Sequence, residues 1–578
     1  MGRAVDVLIS LAIPSLILLY LSIAPYTKIE ESFTIQAIHD ILEYGIPVRQ
    51  FSESLAANFD HLIYPELHPV PRTFVAPLAL AALSKPFAFF AHGIHRQILA
   101  RAILGLYNAI CLLVFRNSIR KAYGAATANW YGIFQACQFH VMFYASRTLP
   151  NFIPFGLSTV AVGLLIEKTI SKSKPHTTVE PSLLILTILG IVFRSELAIF
   201  LGTHTVYWFL KGHLTIPAIV LSGAVGLGYG LLLTVPVDSF LWQQYPLWPE
   251  LTSFLFNIYE GRSIDWGVSP WYYYITNAMP KILFNPLIFG LCIPFTLLNS
   301  SLRGSAVDLL TSNLAYIAIY SFQPHKEWRF IVYAIPAMTA AGAQGAAWIW
   351  NRRAKSAVYA FVSSALVLSC LTSLAASLMF LSISTLNYPG AAALDALQML
   401  ADGTKPSINV HMDVLTAQTG ATLFLQLPST VGFHNSSAWN FDKTDDKTGD
   451  GTLLRRPEFW AKFDYALAEK PEKCIGAWEE LAVVEGFAGI GIVRPFHDDP
   501  SPLRKSSGSS RSTERASFWG KAPWSPFTSH IWRLWKYIGA FMRRNITRGW
   551  WIDAKMQPMI RILQRIPQDE VRESILKQ

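Results

Sequence analysis

Residues 357–384 read AVYAFVSSALVLSCLTSLAASLMFLSIS, a run without Asp, Glu, Lys, Arg or His. A helix needs about 20 predominantly apolar residues to cross the hydrocarbon core of a bilayer, and this run is longer than that. The run therefore predicts a membrane-spanning helix and sets the class of fold for the whole chain.

The composition extends this prediction to the rest of the 578 residues. Hydrophobic residues make up 52% of the chain and charged residues 15%, with a mean hydropathy of +0.32. Soluble domains carry roughly 25% charged residues. These values exclude a single soluble enzyme, a disordered chain and a disulfide-stapled secreted module. The apolar stretches predict about eleven spans: 5–24, 73–92, 97–116, 125–146, 150–167, 182–201, 214–236, 281–298, 305–322, 329–350 and 357–384.

Lys and Arg in short loops predict the orientation of the spans, because such loops stay in the cytosol. The loop 351–355 and the turn at Lys211 are therefore expected to be cytosolic, and so is the N-terminus. Residues 25–72, 237–280 and those after about 385 then lie on the other side. Two basic loops, 116–121 and 168–174, conflict with this scheme because both fall on the non-cytosolic side.

Three regions are expected along the chain. Residues 1–389 form an all-α polytopic membrane domain, with large loops at 25–72 and 237–280. Residues 390–500 have the strand-like segments 408–411 and 488–493 and predict a small mixed α/β domain. Residues 501–578 carry the whole net charge of +10 and predict a basic amphipathic tail. Basic residues interleaved with Trp suit an anionic membrane surface, and no nucleic acid is expected as a partner.

Adjacent carboxylates follow the first predicted span, in the segment Pro25-Tyr26-Thr27-Lys28-Ile29-Glu30-Glu31-Ser32-Phe33. Apolar residues at helical spacing predict a helix over Glu30 to Tyr44. Two carboxylates side by side repel each other, so one can have a raised pKa and act as a general base. The alternative is that both only stabilise the N-terminus of the helix.

Three potential cations occur within five residues in the segment Phe322-Gln323-Pro324-His325-Lys326-Glu327-Trp328-Arg329-Phe330, between two predicted spans. Lys supplies a point charge, and the planar guanidinium of Arg binds phosphate oxygens in pairs. His325, Lys326 and Arg329 therefore predict a phosphate site. The alternative is an interfacial cluster whose cations reach the headgroups.

Further polar residues are expected on the same side of the membrane. Asp60, His61 and Arg72 precede the second span, and Arg147 lies in Ser146-Arg147-Thr148-Leu149-Pro150-Asn151. We interpret these four as candidate substrate-binding residues. The spacing of His and Asp matches no metal-ligand motif, so no metal is expected. The pair Arg194 and Glu196 falls inside a predicted span, where charges are paired or functional.

The segment His325-Lys326-Glu327-Trp328-Arg329-Phe330 resembles the HKExRF signature of glycosyltransferase family 22. These multi-spanning mannosyltransferases of the endoplasmic reticulum use dolichyl-phosphate mannose. Residues 25–33, 71–74, 147–151 and 410–420 resemble the members that form α-1,6 bonds in the assembly of the lipid-linked oligosaccharide. The likeness runs from about residue 20 to about residue 440.

The resemblance implies a GT-C fold in the endoplasmic-reticulum membrane, with an active site at the lumenal ends of the helices. It implies transfer of mannose from dolichyl-phosphate mannose to the dolichyl-diphosphate heptamannosyl oligosaccharide, with inversion at the anomeric carbon. The family places the acidic base in the first lumenal loop, here Glu30 or Glu31, and we favour Glu30. No cofactor and no metal are expected, and membrane lipids are the remaining partners.

Two alternatives stay open from the sequence. A sibling enzyme that adds α-1,2-linked mannose would use the same donor. A polyprenyl-lipid transporter would also have many spans and interior charges, but transporters often consist of two related halves. No such halves are found here, and the charged clusters gather on one predicted face.

Overall fold

The computed structural model describes residues 3–46, 51–65, 70–170, 178–401, 405–426, 438–445, 452–493 and 526–567. The described residues between 3 and 384 fold as an assembly of α-helices with short 3₁₀ and π turns. These helices are α1 (Arg3–Ile23), α2 (Ile29–Tyr44), α3 (Phe51–Asn58), α4 (Asp60–Ile63), α5 (Val75–Ala88), α6 (Ile94–Tyr123), α7 (Ala125–Cys137), α8 (Phe139–Tyr144), α9 (Phe152–Glu167), α10 (Pro181–Val192), α11 (Glu196–Leu210), α12 (Ile216–Leu241), α13 (Pro249–Phe254), α14 (Met279–Leu283), α15 (Ile293–Leu298), α16 (Arg303–Tyr320), α17 (Ile335–Asn351) and α18 (Ala357–Ser384).

Five helical segments of the described residues are long and apolar enough to cross a bilayer. They are Ala4–Ile23, Ile94–Tyr123, Ile216–Leu241, Trp328–Asn351 and Ala357–Asn387. A sixth span is added if Tyr274–Leu283 and Ile288–Leu298, which are bent by 117° at their break, count as one. The protein is therefore a mostly helical polytopic membrane protein, and the count of eleven spans stays a prediction.

The helix ends define two ends of the bundle. At one end Gln97, near the start of α6, donates to the carbonyl of Pro25, just after α1, over 2.9 Å. At the other end Arg116 of α6 pairs with Asp6 of α1. We call these the site end and the far end. Because α1 and α6 pack antiparallel, the long segment from Pro25 to Gly93 starts and finishes at the site end.

The predicted span at 73–92 is wrong. The amide of Phe74 donates to Asp238, near the end of α12, over 2.7 Å, while Ile94 packs in a core cluster with Tyr388. Both ends of α5 thus lie at the site end. Its 14 residues reach only about 21 Å, less than the roughly 30 Å hydrocarbon core. Its apolar residues pack against α2 and α6.

The predicted span at 182–201 is also wrong, because it is two helices. α10 ends at Val192 and α11 begins at Glu196, and the chain reverses between them. Arg194 lies at this break, at the site end, where Asn151 donates to Glu196 over 2.5 Å. The charges predicted to lie in mid-span are therefore at a helix turn.

These two corrections remove the conflict over the basic loops. Lys121 pairs with Glu167 at the far end, and Lys168 pairs with Glu180 beside it. The loop 351–355 is at the same end, where the rings of Trp130 and Trp350 lie 5.7 Å apart. The prediction that loops 116–121 and 168–174 face away from loop 351–355 is wrong for their described residues. Residues 171–174 lie outside the described residues.

The C-terminal part contains a small sheet domain, as predicted for residues 390–500. Its elements are α19 (Pro389–Leu400), β1 (Ser407–Met412), α20 (Val414–Gln418), β2 (Ala438–Asp442), α21 (Pro457–Trp460), β3 (Tyr465–Ala468), β4 (Trp478–Val493), α22 (Pro526–Asn545) and β5 (Trp551–Arg565). The sheet order is β2-β1-β3-β5-β4, with β1 parallel to both neighbours and β5 antiparallel to both of its own.

The separate tail predicted for residues 501–578 is only partly correct. Residues 526–545 form an amphipathic helix, but residues 551–565 are β5, a strand inside the sheet. Buried Ile560 and Ile562 of β5 complete the same core cluster as Val410 of β1. The domain boundary at residue 500 therefore does not hold for this strand, and the other boundaries stay predictions.

Candidate active site

The turn after α1 is held by buried donors from two neighbouring segments. The guanidinium of Arg101 donates to the Pro25 carbonyl and, over 3.2 Å, to that of Ser146. Arg147 donates to the carbonyls of Tyr26 and Ala24 over 3.1 and 3.3 Å. These bonds satisfy backbone carbonyls of the turn between α1 and α2, so the start of α2 is fixed in place.

Glu31 and Arg147 form a buried ion pair at this turn. Arg147 Nη1 lies 2.7 Å from Glu31 Oε1, and the two side chains are 2% exposed or less. The other terminal nitrogen, Nη2, donates to the hydroxyl of Tyr388 over 2.6 Å. The pair thus joins the first loop, the segment after α8 and the chain leaving α18. Arg147 contacts these protein groups, and its predicted contact with substrate stays a prediction.

Glu30 has a different environment from that of Glu31. Its side chain is exposed, and no described residue donates a hydrogen bond to its carboxylate. It lies in the first turn of α2, where the positive end of the helix dipole is located. Lys28, whose pKa is lowered by burial, adds a nearby positive charge. Of the two carboxylates predicted as candidate bases, Glu30 is the accessible one.

An aromatic contact joins the first loop to the segment 322–330. The guanidinium carbon of Arg147 lies 4.1 Å from the ring centroid of Phe143 and 5.8 Å from that of Tyr144. The ring of Tyr144 in turn lies 4.7 Å from that of Trp328. The two motifs singled out in the sequence are therefore neighbours at the site end.

The predicted phosphate-binding residues have distinct partners. His325 bonds to the carbonyl of Gly267 and to Glu327, each over 3.1 Å. Lys326 is buried and donates to the carbonyls of Ser269, over 2.8 Å, and Gln323. Lys326 thereby ties the aromatic-rich segment 237–280 to its own turn. Its ammonium has three donors, so one stays available.

Arg329 has donor capacity left over. Its Nη2 lies 2.7 Å from Glu327 Oε1, while its buried Nε donates to no described residue. The guanidinium carbons of Arg329 and Arg194 each lie 5.9 Å from the ring centroid of Phe330. The two arginines therefore approach the same aromatic side chain from separate helix ends.

Arg72 completes a cluster of three arginines. Its side chain is accessible to solvent yet closely surrounded by protein, as in a cleft. Desolvation by this protein, followed by repulsion from Arg194 and Arg329, lowers the pKa of Arg72 to about 10. At neutral pH all three carry a positive charge, and such a concentration of guanidinium groups binds phosphate oxygens. We call Arg72, Arg194 and Arg329 the arginine cluster.

Carboxylates balance part of this charge. Arg194 Nε lies 2.9 Å from Glu196 Oε1, which also accepts from Asn151. Glu250 accepts from the amide of Ser195 over 2.7 Å. Burial raises the pKa of Glu250 to about 7, against the attraction of Arg194. The charge near the cluster therefore depends on the protonation of Glu250.

Asp60 and His61 are enclosed. Asp60 pairs with Lys443, which follows β2, and its amide donates to Asp40 over 2.9 Å. His61 Nε2 lies 3.0 Å from the carbonyl of Leu241, and its ring packs 4.7 Å from that of Trp242. Both residues connect parts of the fold, and their predicted substrate contact stays untested. No three His, Cys, Asp or Glu side chains of the described residues lie close enough to hold a metal ion.

Sequence reasoning missed several residues of this end. Arg101, Lys443 and Tyr388 are single polar residues in unremarkable segments, and only their distant partners reveal them. Glu250 was visible only as one acid in an aromatic-rich loop. Arg194 had a signal, a charge in an apolar run, but no indication of its neighbours.

Comparison with known proteins identifies mannosyltransferases as relatives of this chain. The chain is 32% identical over 504 residues to Dol-P-Man:Man(7)GlcNAc(2)-PP-Dol alpha-1,6-mannosyltransferase of Saccharomyces cerevisiae, covering 81% of this chain and 86% of the relative. It is 24% identical to GPI alpha-1,2-mannosyltransferase 3 of Mus musculus, over 51% of this chain and 50% of that one. The sibling α-1,2 enzyme is thus the more distant relative.

The fold has a counterpart among solved structures. ArnT from Cupriavidus metallidurans, in the apo state, superposes with a TM-score of 0.53 at 14% identity, over 81% of this chain and 93% of that chain. This likeness supports the GT-C fold. Residues 62–426 match the Alg9-like mannosyltransferase family, and with the yeast relative this match shows that the chain belongs to that family.

Proposed function

We propose that this protein transfers mannose from dolichyl-phosphate mannose to the dolichyl-diphosphate heptamannosyl oligosaccharide and forms an α-1,6 bond. The reaction belongs to the assembly of the N-glycan precursor. The observation that carries the proposal is that an accessible carboxylate, Glu30, and the arginine cluster both lie at the site end of the bundle. The name of the yeast relative supports the choice of donor, acceptor and linkage.

Glu30 acts as the general base. Its carboxylate accepts the proton of the acceptor's 6-hydroxyl while the hydroxyl oxygen forms a bond to the anomeric carbon of mannose. The bond from that carbon to the phosphate oxygen breaks, and dolichyl phosphate leaves with the electron pair. One displacement converts a β-linked donor into an α-linked product, which requires a base opposite the leaving group.

Glu31 holds Glu30 in position without taking the proton. Its charge is already compensated by Arg147, and it is enclosed between the turn and Tyr388. The ion pair fixes the first turn of α2 and so fixes the direction of Glu30. In this division of roles one acid takes the proton and its neighbour positions it.

The arginine cluster binds the phosphate of the donor and stabilises the charge that grows on it as the bond breaks. Fixed cations directed at a developing anion lower the barrier without reorganisation. The accessible Arg72 and the partly exposed guanidinium of Arg329 supply donors for this purpose. Lys326 adds its remaining donor and holds the segment 237–280 beside the cluster.

The site end faces the lumen of the endoplasmic reticulum in this proposal. The basic residues of the far end, among them Arg116, Lys121, Lys211 and Arg353, support a cytosolic location for that end. The site, at the opposite end, is then reached by donor and acceptor whose lipid chains stay in the membrane. No metal is required, because the arginine cluster supplies the positive charge.

The test is mannose transfer by the purified full-length protein, given both lipid-linked substrates with EDTA present. An octamannosyl product with a new α-1,6 bond supports the proposal, including its metal independence. A product with an α-1,2 bond would move the protein to the sibling activity. Movement of mannosyl lipid across a bilayer without any product would favour the transporter.

A further inference from the structure

Helix α22 has one apolar face that no described residue covers. Leu534, Ile538 and Phe541 follow one another at helical spacing, and their side chains are 57%, 40% and 54% exposed. These are large apolar side chains turned to solvent on a single stripe. A soluble surface rarely leaves such a stripe open without a partner.

The other face of α22 is basic. Arg533, Lys536, Arg543 and Arg544 lie on it, and residues 526–550 contain no Asp or Glu. A helix with an apolar stripe opposite a row of cations suits the surface of an anionic membrane. The alternative partner is a protein with an acidic groove. Such a groove would account for the basic face of α22 but not for its exposed apolar stripe.

The helix is attached to an arm of the sheet domain. Trp535 packs on Trp551 with ring centroids 5.1 Å apart, directly where β5 begins. β5 pairs with β4 from Trp551 to Arg565, whereas its pairing with β3 covers only residues 561–564. Residues 551–558 therefore form a two-stranded arm with β4, beyond the core cluster that contains Ile560. An isolated two-stranded ribbon is marginally stable in water, so this arm needs a surface to rest on.

The tip of the arm is also apolar and exposed. Ile490, Ile492 and Ile552 are 55%, 65% and 56% exposed. Ile492 is the direct partner of Ile552 in the ladder, so the two side chains share one face, together with Ile490 two residues away. The tip thus adds a second apolar patch beside the middle of α22, where Trp535 contacts Trp551.

The arm passes the point where the last apolar helix ends. Gly486 of β4 lies beside Pro389, which follows the end of α18 by five residues. A Cβ atom placed on Gly486 would be 3.3 Å from the ring of Pro389. From Gly486 to the tip at Val493 the strand extends about 23 Å, at roughly 3.3 Å per residue. The tip and α22 are therefore within reach of the bilayer that α18 crosses.

We propose that α22 and the tip of the β4–β5 arm form an interfacial anchor on the bilayer surface at the site end. Leu534, Ile538 and Phe541 enter the boundary between headgroups and acyl chains, and the basic face binds the phosphates of anionic phospholipids. Because β5 lies between β3 and β4, this anchor fixes the sheet domain relative to the membrane. The anchor is independent of the mannosyl-transfer chemistry.

The test uses the full-length protein in lipid nanodiscs. All five cysteines are buried and free, so a new exposed cysteine can be labelled selectively with an environment-sensitive fluorophore. Phe541→Cys places the label on the apolar face, and Ala540→Cys is the matched control on the other face. Quenching by spin-labelled lipid then reports contact with the bilayer, in discs of phosphatidylcholine with or without phosphatidylserine.

The anchor predicts strong quenching at position 541, weak quenching at position 540, and an increase at 541 when phosphatidylserine is added. Reversing the charge of the basic face by Arg533→Glu with Lys536→Glu should abolish that increase. Equal quenching at both positions, no quenching at either, or no response to phosphatidylserine would overturn the proposal. If this face binds a protein partner instead of the bilayer, neither position should be quenched.

Discussion

Arg147 and Glu31, 116 positions apart in the chain, form an ion pair of 2.7 Å in which neither side chain is more than 2% exposed. This pair encloses the second of two adjacent acids, whereas the first, Glu30, is exposed. It also places a buried ion pair on the turn that carries Glu30. Its removal should therefore affect both stability and activity.

Replacing Arg147 by Ala should lower the free energy of unfolding by about 3–5 kcal/mol, because Glu31 would keep a buried charge without its partner. The double replacement Arg147→Met with Glu31→Leu should recover much of this loss, since no charge is left buried. Thermal unfolding of the purified variants measures both effects. If the losses of unfolding free energy in the single variants add up to the loss in the double variant, the two residues are not coupled.

The arginine cluster should control use of the donor. Arg72→Ala and Arg329→Ala are expected to lower kcat/KM for dolichyl-phosphate mannose by about 10²–10³, the typical cost of one group that stabilises a developing anion. Arg194→Lys keeps the charge beside Glu196 but loses the planar fork, so a smaller decrease is expected.

Arg353→Ala is the matched control for the arginine cluster, because this exposed arginine lies at the far end. Its transfer kinetics should equal those of the wild type. If Arg72→Ala and Arg329→Ala also leave the donor kinetics unchanged, the phosphate is bound elsewhere. A change in acceptor kinetics alone would assign the cluster to the acceptor diphosphate.

Donor affinity should fall as the pH rises through the titration of Glu250. With a pKa raised to about 7, Glu250 is mostly protonated below that pH and gains a negative charge near Arg72 and Arg194 above it. The phosphodiester of the donor keeps one negative charge throughout, so it does not titrate itself. Donor binding measured between about pH 6 and pH 8 should weaken, and Glu250→Gln should remove the dependence.

The same shift has a consequence for stability. Because the folded state holds the Glu250 proton more tightly than the unfolded state, this residue makes the fold less stable as the pH rises from about 4.5 to about 7. Glu250→Gln should abolish this contribution. If donor affinity still depends on pH in the Glu250→Gln variant, another group causes that dependence.

Much of the fold follows from local patterns. The apolar runs predict α1, α12 and α18 because a span must be apolar along its whole length, and the helical spacing after Pro25 predicts α2. The alternating apolar residues of β1 predict a strand. These elements are determined by residues that are neighbours in the chain.

The errors arise where distant contacts decide the structure. Hydropathy cannot distinguish α5, whose apolar residues pack against α2 and α6, from a helix that faces lipid. Nor does it mark the turn at Arg194 that separates α10 from α11. β5 was missed because its pairing with β4 bridges a segment of nearly 60 residues between Val493 and Trp551.

The sequence predicts which charged residues are candidates for the site, but it does not predict the contacts that each of them makes. Clusters of charge near helix ends identified Glu30, Glu31, Lys326 and Arg329. The environment of Glu31 depends on the side chain of Arg147, which is distant in the chain. The environment of Lys326 depends on the backbone carbonyls of Ser269 and Gln323. No spacing rule predicts which of two adjacent acids finds such a partner.

The most direct test of the account compares Glu30→Gln with Glu31→Gln in single-turnover mannose transfer, with donor and acceptor both saturating. Loss of a general base should slow Glu30→Gln by about 10²–10⁴ while donor and acceptor still bind. Glu31→Gln, which keeps an oxygen that accepts from Arg147, should slow transfer by less than about tenfold, the effect of one lost interaction of 1.4 kcal/mol. A Glu30→Gln variant that transfers mannose at the wild-type rate while Glu31→Gln is inactive would contradict the account.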